Sequence, residues 1–134
     1  MTPILPTISA LCAALLGLLA ALLVVRVILN RVRLQVNAGD GGHAVLAQAI
    51  RAHSNLSEHV PLALLLLAFA EAAGAWRGAV AVLAVALVIA RGASAWGLSH
   101  SLELGNARKA GAGLTALVIV ACSALVLYRM ILML

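Results

Sequence analysis

Three polar side chains share one face of a segment that is otherwise largely apolar. Arg51, Asn55 and Glu58 are four and three residues apart, and Gln48 precedes Arg51 by three. With about 3.6 residues per turn, this spacing aligns these side chains along one stripe of a helix. An arginine fork binds carboxylates, a glutamate accepts hydrogen bonds from an amine, and an asparagine can donate or accept. The stripe is therefore a candidate site for a small zwitterionic or anionic ligand, with an internal Arg51–Glu58 ion pair as the alternative.

A second candidate is an arginine inside a later apolar segment. Arg91 has small and apolar residues on both sides, and Ser94 follows three residues later on the same side of a helix. Ionisable side chains within a membrane are costly, so they usually face a bundle interior or a water-filled cavity. Arg91 therefore either neutralises Glu58 or adds a cation to the ligand site, and the two roles are compatible.

A third group of cations stands at the start of the last apolar segment. Arg108 and Lys109 follow Asn106, which we expect to be a helix N-cap. The positive potential of a helix N-terminus, added to these cations, would stabilise an anion or a thiolate. The alternative is a simple topology signal, which we favour for Lys109. Arg26 and Arg31 allow the same two interpretations.

The composition predicts the surroundings of these residues. The chain has 134 residues, of which 65% are hydrophobic and 10% charged, and its mean hydropathy is +1.15. A soluble domain of this length could not bury so much apolar surface. Only 3% of residues are aromatic, which disfavours an outer-membrane barrel, and abundant alanine and leucine favour helices. We expect a single all-α integral membrane domain.

Charge and cysteine content exclude other classes. The formal net charge is +5, but the basic residues stand at the ends of apolar segments or inside them, so we expect no nucleic-acid partner. Cys12 and Cys122 lie in separate apolar stretches and are interpreted as packing residues. Histidine and cysteine spacings typical of a metal site are absent from the sequence, so no metal is expected.

Turn signals divide the chain into four predicted helices. We expect the first to be retained rather than cleaved, because no basic residues precede its apolar run. A Gly39-Asp40-Gly41-Gly42 turn follows it, and Gly74 closes the second helix. The predicted helices span residues 4–33, with residue 7 as an alternative start, then 44–73, 78–102 and 107–134.

Basic residues predict the orientation in the membrane. They are more frequent around the first and third connections than around the second connection and the termini. The positive-inside rule therefore places the first and third loops in the cytoplasm. The fourth helix also has a row of small residues that would allow close helix contact, either within one subunit or between subunits. These small residues are Ala110, Gly113, Ala121 and Ala124.

The arrangement of these features resembles the MAPEG family, the membrane-associated proteins in eicosanoid and glutathione metabolism. The resemblance rests on four spans, a short glycine-rich first loop, and Arg51-Ala-His-x-Asn55-x-x-Glu58-x-x-Pro61 opening an apolar run. The short loop and compact length are most similar to the bacterial branch, which implies the inner membrane. The resemblance also implies a homotrimer of four-transmembrane-helix bundles, with glutathione bound between neighbouring subunits near the cytoplasmic face.

The resemblance assigns roles to individual residues. Arg108 would stabilise the glutathione thiolate, which attacks a hydrophobic electrophile arriving from the bilayer, as in a glutathione transferase or peroxidase. Ser94 stands near where family enzymes often have a histidine or tyrosine, and it would substitute as a weaker catalytic donor. The residues expected to bind glutathione are Arg51, Asn55, Glu58, Arg91, His59, Arg31 and Arg26.

Two other functions compete with this interpretation. A non-catalytic scaffold could bind a lipid or small anion in the same cavity, and the serine at position 94 favours it. A small transporter would need inverted repeats or broken helices, and the sequence shows no internal repeat.

Overall fold

Four α-helices make up most of the chain that the structure describes. The computed structural model describes residues 6–100 and 105–134. No strand occurs within those two ranges. The predicted all-helical architecture is confirmed. The helices are α1 (Thr7–Leu34), α2 (Ala44–Ala72), α3 (Arg77–His100) and α4 (Asn106–Ile131).

The helix ends differ slightly from the predicted ones. The predicted start at Ile4 and the predicted end of the third helix at Leu102 lie outside the described residues. Helix α4 ends at Ile131 rather than at Leu134. Its last turn tightens, because the Met133 N–H donates to the Met130 carbonyl at 3.1 Å, three residues back rather than four.

Three of the helices, α1, α3 and α4, are long and apolar enough to cross a membrane. Helix α2 has 29 residues, but the polar stripe occupies its first half. Large apolar side chains such as Leu18, Leu22 and Leu29 are mostly exposed on the outside of the bundle, where lipid would surround them. The protein is thus an integral membrane bundle of four helices.

Helix α2 contacts each of the other three helices, as α3 also does. Its buried side includes Ala52, Ala63 and Ala70, each at most 1% exposed. Small side chains let neighbouring helices approach closely, which favours dispersion contacts between membrane helices. These contacts hold α2, which carries the polar stripe, within the bundle.

The glycine turn after α1 forms as predicted from the sequence. Gly39, Gly41 and Gly42 have φ angles of 63°, 58° and 78°, in the left-handed region that glycine adopts without strain. The Asp40 carboxylate accepts a hydrogen bond from the Gly42 N–H at 2.9 Å. This turn places Asp40 beside the start of α2.

A buried carboxylate of α2 joins the N-terminus of α1. Glu71 is 3% exposed. It accepts hydrogen bonds from the Ile8 N–H at 3.0 Å, from the Ser9 N–H at 2.8 Å and from the Ser9 hydroxyl at 2.7 Å. These are N–H groups that a helix start leaves without intrahelical partners, and the helix dipole favours an anion there. Sequence reasoning had assigned no role to Glu71.

Helices α3 and α4 approach closely at Gly111. A Cβ atom there would lie 2.6 Å from the Ala90 carbonyl oxygen and 3.0 Å from the Ser94 nitrogen. The buried face of α4 comprises Gly111, Thr115, Val118 and Cys122.

The predicted row of small residues on α4 lies on another face. Ala110, Gly113 and Ala124 are exposed, and Ala121 is half-buried. A Cβ atom at Gly113 would meet nothing within 4 Å. The predicted row is therefore largely outside the contact between α3 and α4.

The two glycines of α4 offer a matched test of this packing. We expect Gly111→Ala to lower the free energy of unfolding by about 1–3 kcal/mol, because the added methyl group meets backbone atoms of α3. Gly113→Ala should leave it unchanged or raise it by up to about 1 kcal/mol, because alanine is the better helix former. Denaturation of both variants in detergent measures the difference. Equal stabilities would contradict the finding that α4 turns Gly111, and not Gly113, towards α3.

Candidate functional site

The polar stripe of α2 contains the ion pair that the sequence left as an alternative. Arg51 Nη1 lies 3.7 Å from Glu58 Oε1, and their side chains are 49% and 50% exposed. An ion pair this exposed stabilises a fold by about 1 kcal/mol at most. Both side chains can therefore exchange this contact for contacts with a ligand at little cost.

Arg51 also lines a cavity of about 470 Å³ at the end of the bundle where α4 begins. Arg108 of α4 is a second arginine that lines it. Cavities of roughly 300–1,000 Å³ are typical for small ligands. Two arginines in one wall make the cavity attractive to an anion. The remaining lining residues are Gly39, Asp40, Ala47, Ile50 and Ser54.

The start of α4 adds to the positive potential of this cavity. The N-cap is Gly105 rather than Asn106, so the predicted N-cap was wrong by one residue. Gly105 adopts an extended backbone and has no side chain that could cap the N–H groups of the first turn. Arg108 belongs to this first turn, where the helix dipole is most positive.

Asp40 gives the cavity an anionic group that sequence reasoning did not assign to the site. One carboxylate oxygen holds the glycine turn through the Gly42 N–H. A carboxylate can also accept hydrogen bonds from an ammonium group. Among the described lining residues, the cavity thus combines two cations with one anion, a pattern that suits a zwitterionic ligand.

Arg91 is buried between three helices instead of lining this cavity. Its side chain is 1% exposed. Nη1 donates to Asn55 of α2, at 3.1 Å to Oδ1 and 3.4 Å to the carbonyl oxygen. Nη2 donates to Ser94 Oγ at 3.2 Å and to the Gly111 carbonyl of α4 at 3.1 Å. We call this set of contacts the arginine clamp.

All acceptors of the arginine clamp are neutral. Within residues 6–100 and 105–134, no carboxylate forms an ion pair with Arg91, and its Nε atom is buried without a hydrogen-bond partner. The alternative in which Arg91 neutralises Glu58 is therefore not seen, because Glu58 pairs with Arg51. The physical reason is position: Arg91 lies inside the bundle, whereas Glu58 faces outward.

Gly111 of the clamp, and Thr115 that contacts its carbonyl, were missed by sequence reasoning. The Gly111 carbonyl accepts a second hydrogen bond from the Thr115 hydroxyl, at 2.8 Å. Thr115 is fully buried. The only signal in the sequence was Thr115, four residues after Gly111. It indicates a contact with Arg91 only when it is known which face of α4 is buried.

The other candidate residues lie outside the cavity wall. Arg26 donates to the Ser99 hydroxyl and, at 3.2 Å, to the Ser99 carbonyl, which ties α1 to α3. Arg31 reaches the carbonyl of Val36 at 3.5 Å. The His59 ring nitrogen lies 2.9 Å from the Asn55 carbonyl oxygen.

The structure thus divides the predicted site into two layers. Arg51 and Arg108 meet at the cavity. Arg91, Asn55 and Ser94 meet in the interior, where Ser94 is only 2% exposed. Asn55 lies one turn after Arg51 on α2, so the same helix carries both layers.

The fold and the site define a small four-helix membrane protein with a cationic cavity at one end. The chain belongs to the MAPEG family, whose model matches residues 9–128. It is similar to the inner membrane protein YecN of Escherichia coli strain K12, with 36% identity over 95 residues, which is 71% of this chain and 72% of YecN. YecN of E. coli O6:H1 shows the same identity and coverage.

The arginine clamp predicts that a lysine cannot replace Arg91. A single ammonium group cannot reach Asn55 and Gly111 together, so we expect Arg91→Lys to lower the free energy of unfolding by about 2 kcal/mol or more. Arg51→Lys is the matched control, and on its exposed surface it should change stability by about 0.5 kcal/mol or less. Denaturation in detergent compares the two variants. An Arg91→Lys variant as stable as the wild type would show that the clamp is dispensable.

Proposed function

We propose that this protein binds glutathione in the cavity of Arg51 and Arg108 and uses it as a transferase or peroxidase toward lipophilic electrophiles. The observation that carries the proposal is the meeting of these two arginines in one wall of a cavity of about 470 Å³. Membership of the MAPEG family supports it, since the resemblance noted from the sequence implies glutathione as the ligand.

The charges of the cavity match the charges of glutathione. Arg51 supplies a planar fork for a glutathione carboxylate. Glu58, once released from its exposed pair with Arg51, or Asp40 of the turn, accepts hydrogen bonds from the ammonium group. Glutathione carries both signs of charge, so a cavity with two arginines and a carboxylate recognises it better than one with cations alone.

Arg108 is the residue proposed to activate the thiol. A cation in the first turn of a helix stabilises a thiolate, and the thiolate is the nucleophile. In the transferase reaction, its sulfur forms a bond to the electrophilic carbon, and the leaving group departs with the electron pair. Arg91 is proposed to act indirectly, because its clamp holds α2 and α4 in the positions that bring Arg51 and Arg108 together.

Location and assembly are part of the proposal. The basic residues around the first and third loops support a cytoplasmic position for the cavity. The similar YecN is named an inner membrane protein, which supports the inner membrane here. A homotrimer is supported by the exposed small residues Ala110 and Ala124 of α4, where a neighbouring helix could approach closely.

A non-catalytic anion-binding protein is the second candidate. Ser94, the hydroxyl proposed to replace the family's catalytic histidine or tyrosine, is buried and accepts a hydrogen bond from Arg91. It therefore does not reach the cavity in this conformation. Conjugation of glutathione to an aromatic electrophile by the purified protein would exclude this candidate.

Calorimetric titration of the detergent-purified protein with glutathione tests the proposal. Arg51→Ala should raise Kd about tenfold or more, because it removes hydrogen bonds to a carboxylate. Arg108→Ala should mainly lower turnover with an aromatic electrophile, by about a hundredfold, because it removes charge stabilisation at the sulfur. Arg33→Ala, at an exposed position of α1 outside the cavity wall, is the control and should change neither. Absence of binding heat for the wild-type protein would refute the proposal.

A further inference from the structure

An apolar groove of about 350 Å³ lies between α1 and α3, in the half of the bundle that contains the α1 N-terminus. Small residues make its floor: Cys12 is 3% exposed, Ala84 is 6% exposed, and the Cys12 Sγ atom lies 3.7 Å from the Ala84 carbonyl oxygen. The walls include Leu11 and Leu15 of α1, and Val85 and Val88 of α3.

The groove opens toward the surroundings of the protein. Leu11 is 64% exposed, Leu15 47% and Val85 58%, so the walls continue into the apolar outer surface of the bundle. Both helices qualify as membrane spans, which places this groove at the depth of lipid chains. A narrow apolar channel at that depth has the right chemistry for a hydrocarbon chain.

A guanidinium stands at the mouth of this groove. Arg77 begins α3, one turn before the groove residue Ala81, and its side chain is 65% exposed. Its Nη2 atom lies 3.3 Å from the Thr7 hydroxyl, next to Ile8 of the groove wall. Side chains on a helix lean toward its N-terminus, so this charge extends beyond the apolar wall to headgroup depth.

Trp76 supports a position of the Arg77 guanidinium at headgroup depth, and the contacts of Glu71 leave some guanidinium donors for a ligand. Trp76 is 79% exposed, as is typical of tryptophan at a membrane interface. Glu71 lies 4.0 Å from Arg77, but it is buried and already accepts hydrogen bonds from Ile8 and Ser9. The guanidinium has five N–H donors, more than Thr7 and Glu71 use.

We propose that this groove is a binding site for an anionic phospholipid. One acyl chain fills the groove between α1 and α3, while Arg77 and the Thr7 hydroxyl hold the phosphate. Guanidinium groups bind phosphate through paired hydrogen bonds, and basic side chains beside transmembrane helices recognise anionic headgroups. This site lies apart from the cavity of Arg51 and Arg108 and does not depend on the function proposed for that cavity.

Native mass spectrometry of the full chain, with phosphatidylglycerol and phosphatidylcholine at equal concentration in detergent, tests this site. The wild-type protein should retain phosphatidylglycerol about fivefold more than phosphatidylcholine. Arg77→Gln, at an exposed position, should abolish that preference, and Arg77→Lys should restore part of it. Val88→Phe should fill the groove and reduce retention of both lipids. Leu65→Phe, at an exposed position of α2, is the matched control and should retain the wild-type pattern.

Other outcomes would overturn the proposal. Equal retention of the two lipids by the wild-type protein would show that no anionic site exists, as would an unchanged preference in Arg77→Gln. Displacement of phosphatidylglycerol by equimolar oleate would assign the groove to a free fatty acid. Disulfide cross-linking between Leu11→Cys copies in vesicles, above the wild-type background of the native cysteines, would show that a second subunit covers the groove.

Discussion

A buried guanidinium determines how the interior of this bundle is arranged. Arg91 donates hydrogen bonds to Asn55 on α2, to Ser94 on its own helix and to Gly111 on α4. Burying a charge in a membrane protein is costly, and removing its partners is costlier still, because unpaired buried groups lose their hydration without compensation. The three helices are therefore bound to one another through a single side chain.

The proposed chemistry depends on that clamp indirectly, through the helices that carry Arg51 and Arg108. Gly111 must lack a side chain for its carbonyl to approach Arg91, since a Cβ atom there would lie 2.6 Å from the Ala90 carbonyl oxygen. Arg108 lies one turn before Gly111 on α4, and Arg51 lies one turn before Asn55 on α2. Both cavity arginines are thus attached to elements that the clamp holds. A buried residue that touches no ligand can in this way control the geometry of an exposed cationic site.

The two ends of the bundle differ in electrostatic character. At one end, two arginines and a helix start create positive potential around an open cavity. At the other end, a buried carboxylate, Glu71, satisfies the start of α1, and Arg77 remains largely exposed. The first arrangement suits a soluble zwitterion that arrives from water, and the second suits a headgroup that belongs to the membrane. Separate sites for a soluble ligand and a lipid are therefore compatible within one small chain.

Sequence patterns predicted the helices better than they predicted which face of each helix is buried. Helical periodicity and turn residues sufficed for four helices, the glycine turn and the Arg51–Glu58 stripe, because each depends on local spacing. Gly111 and Gly113 look equivalent in sequence, and only the rotation of α4 about its axis distinguishes the buried one. The roles of Arg91 and Glu71 likewise depend on partners from other helices, 36 and 62 positions away for Asn55 and Ser9. Local periodicity cannot indicate contacts between residues so far apart in sequence.

Ultraviolet absorbance tests most directly whether the cavity holds glutathione as the thiolate, as we propose. Titrating glutathione into the detergent-purified protein at neutral pH should produce thiolate absorbance that rises with occupancy and saturates, because Arg108 and the start of α4 stabilise the anion. In Arg108→Ala, glutathione should still bind, but the absorbance should be largely lost. Binding by the wild-type protein without thiolate absorbance, or the same absorbance in Arg108→Ala, would contradict this claim.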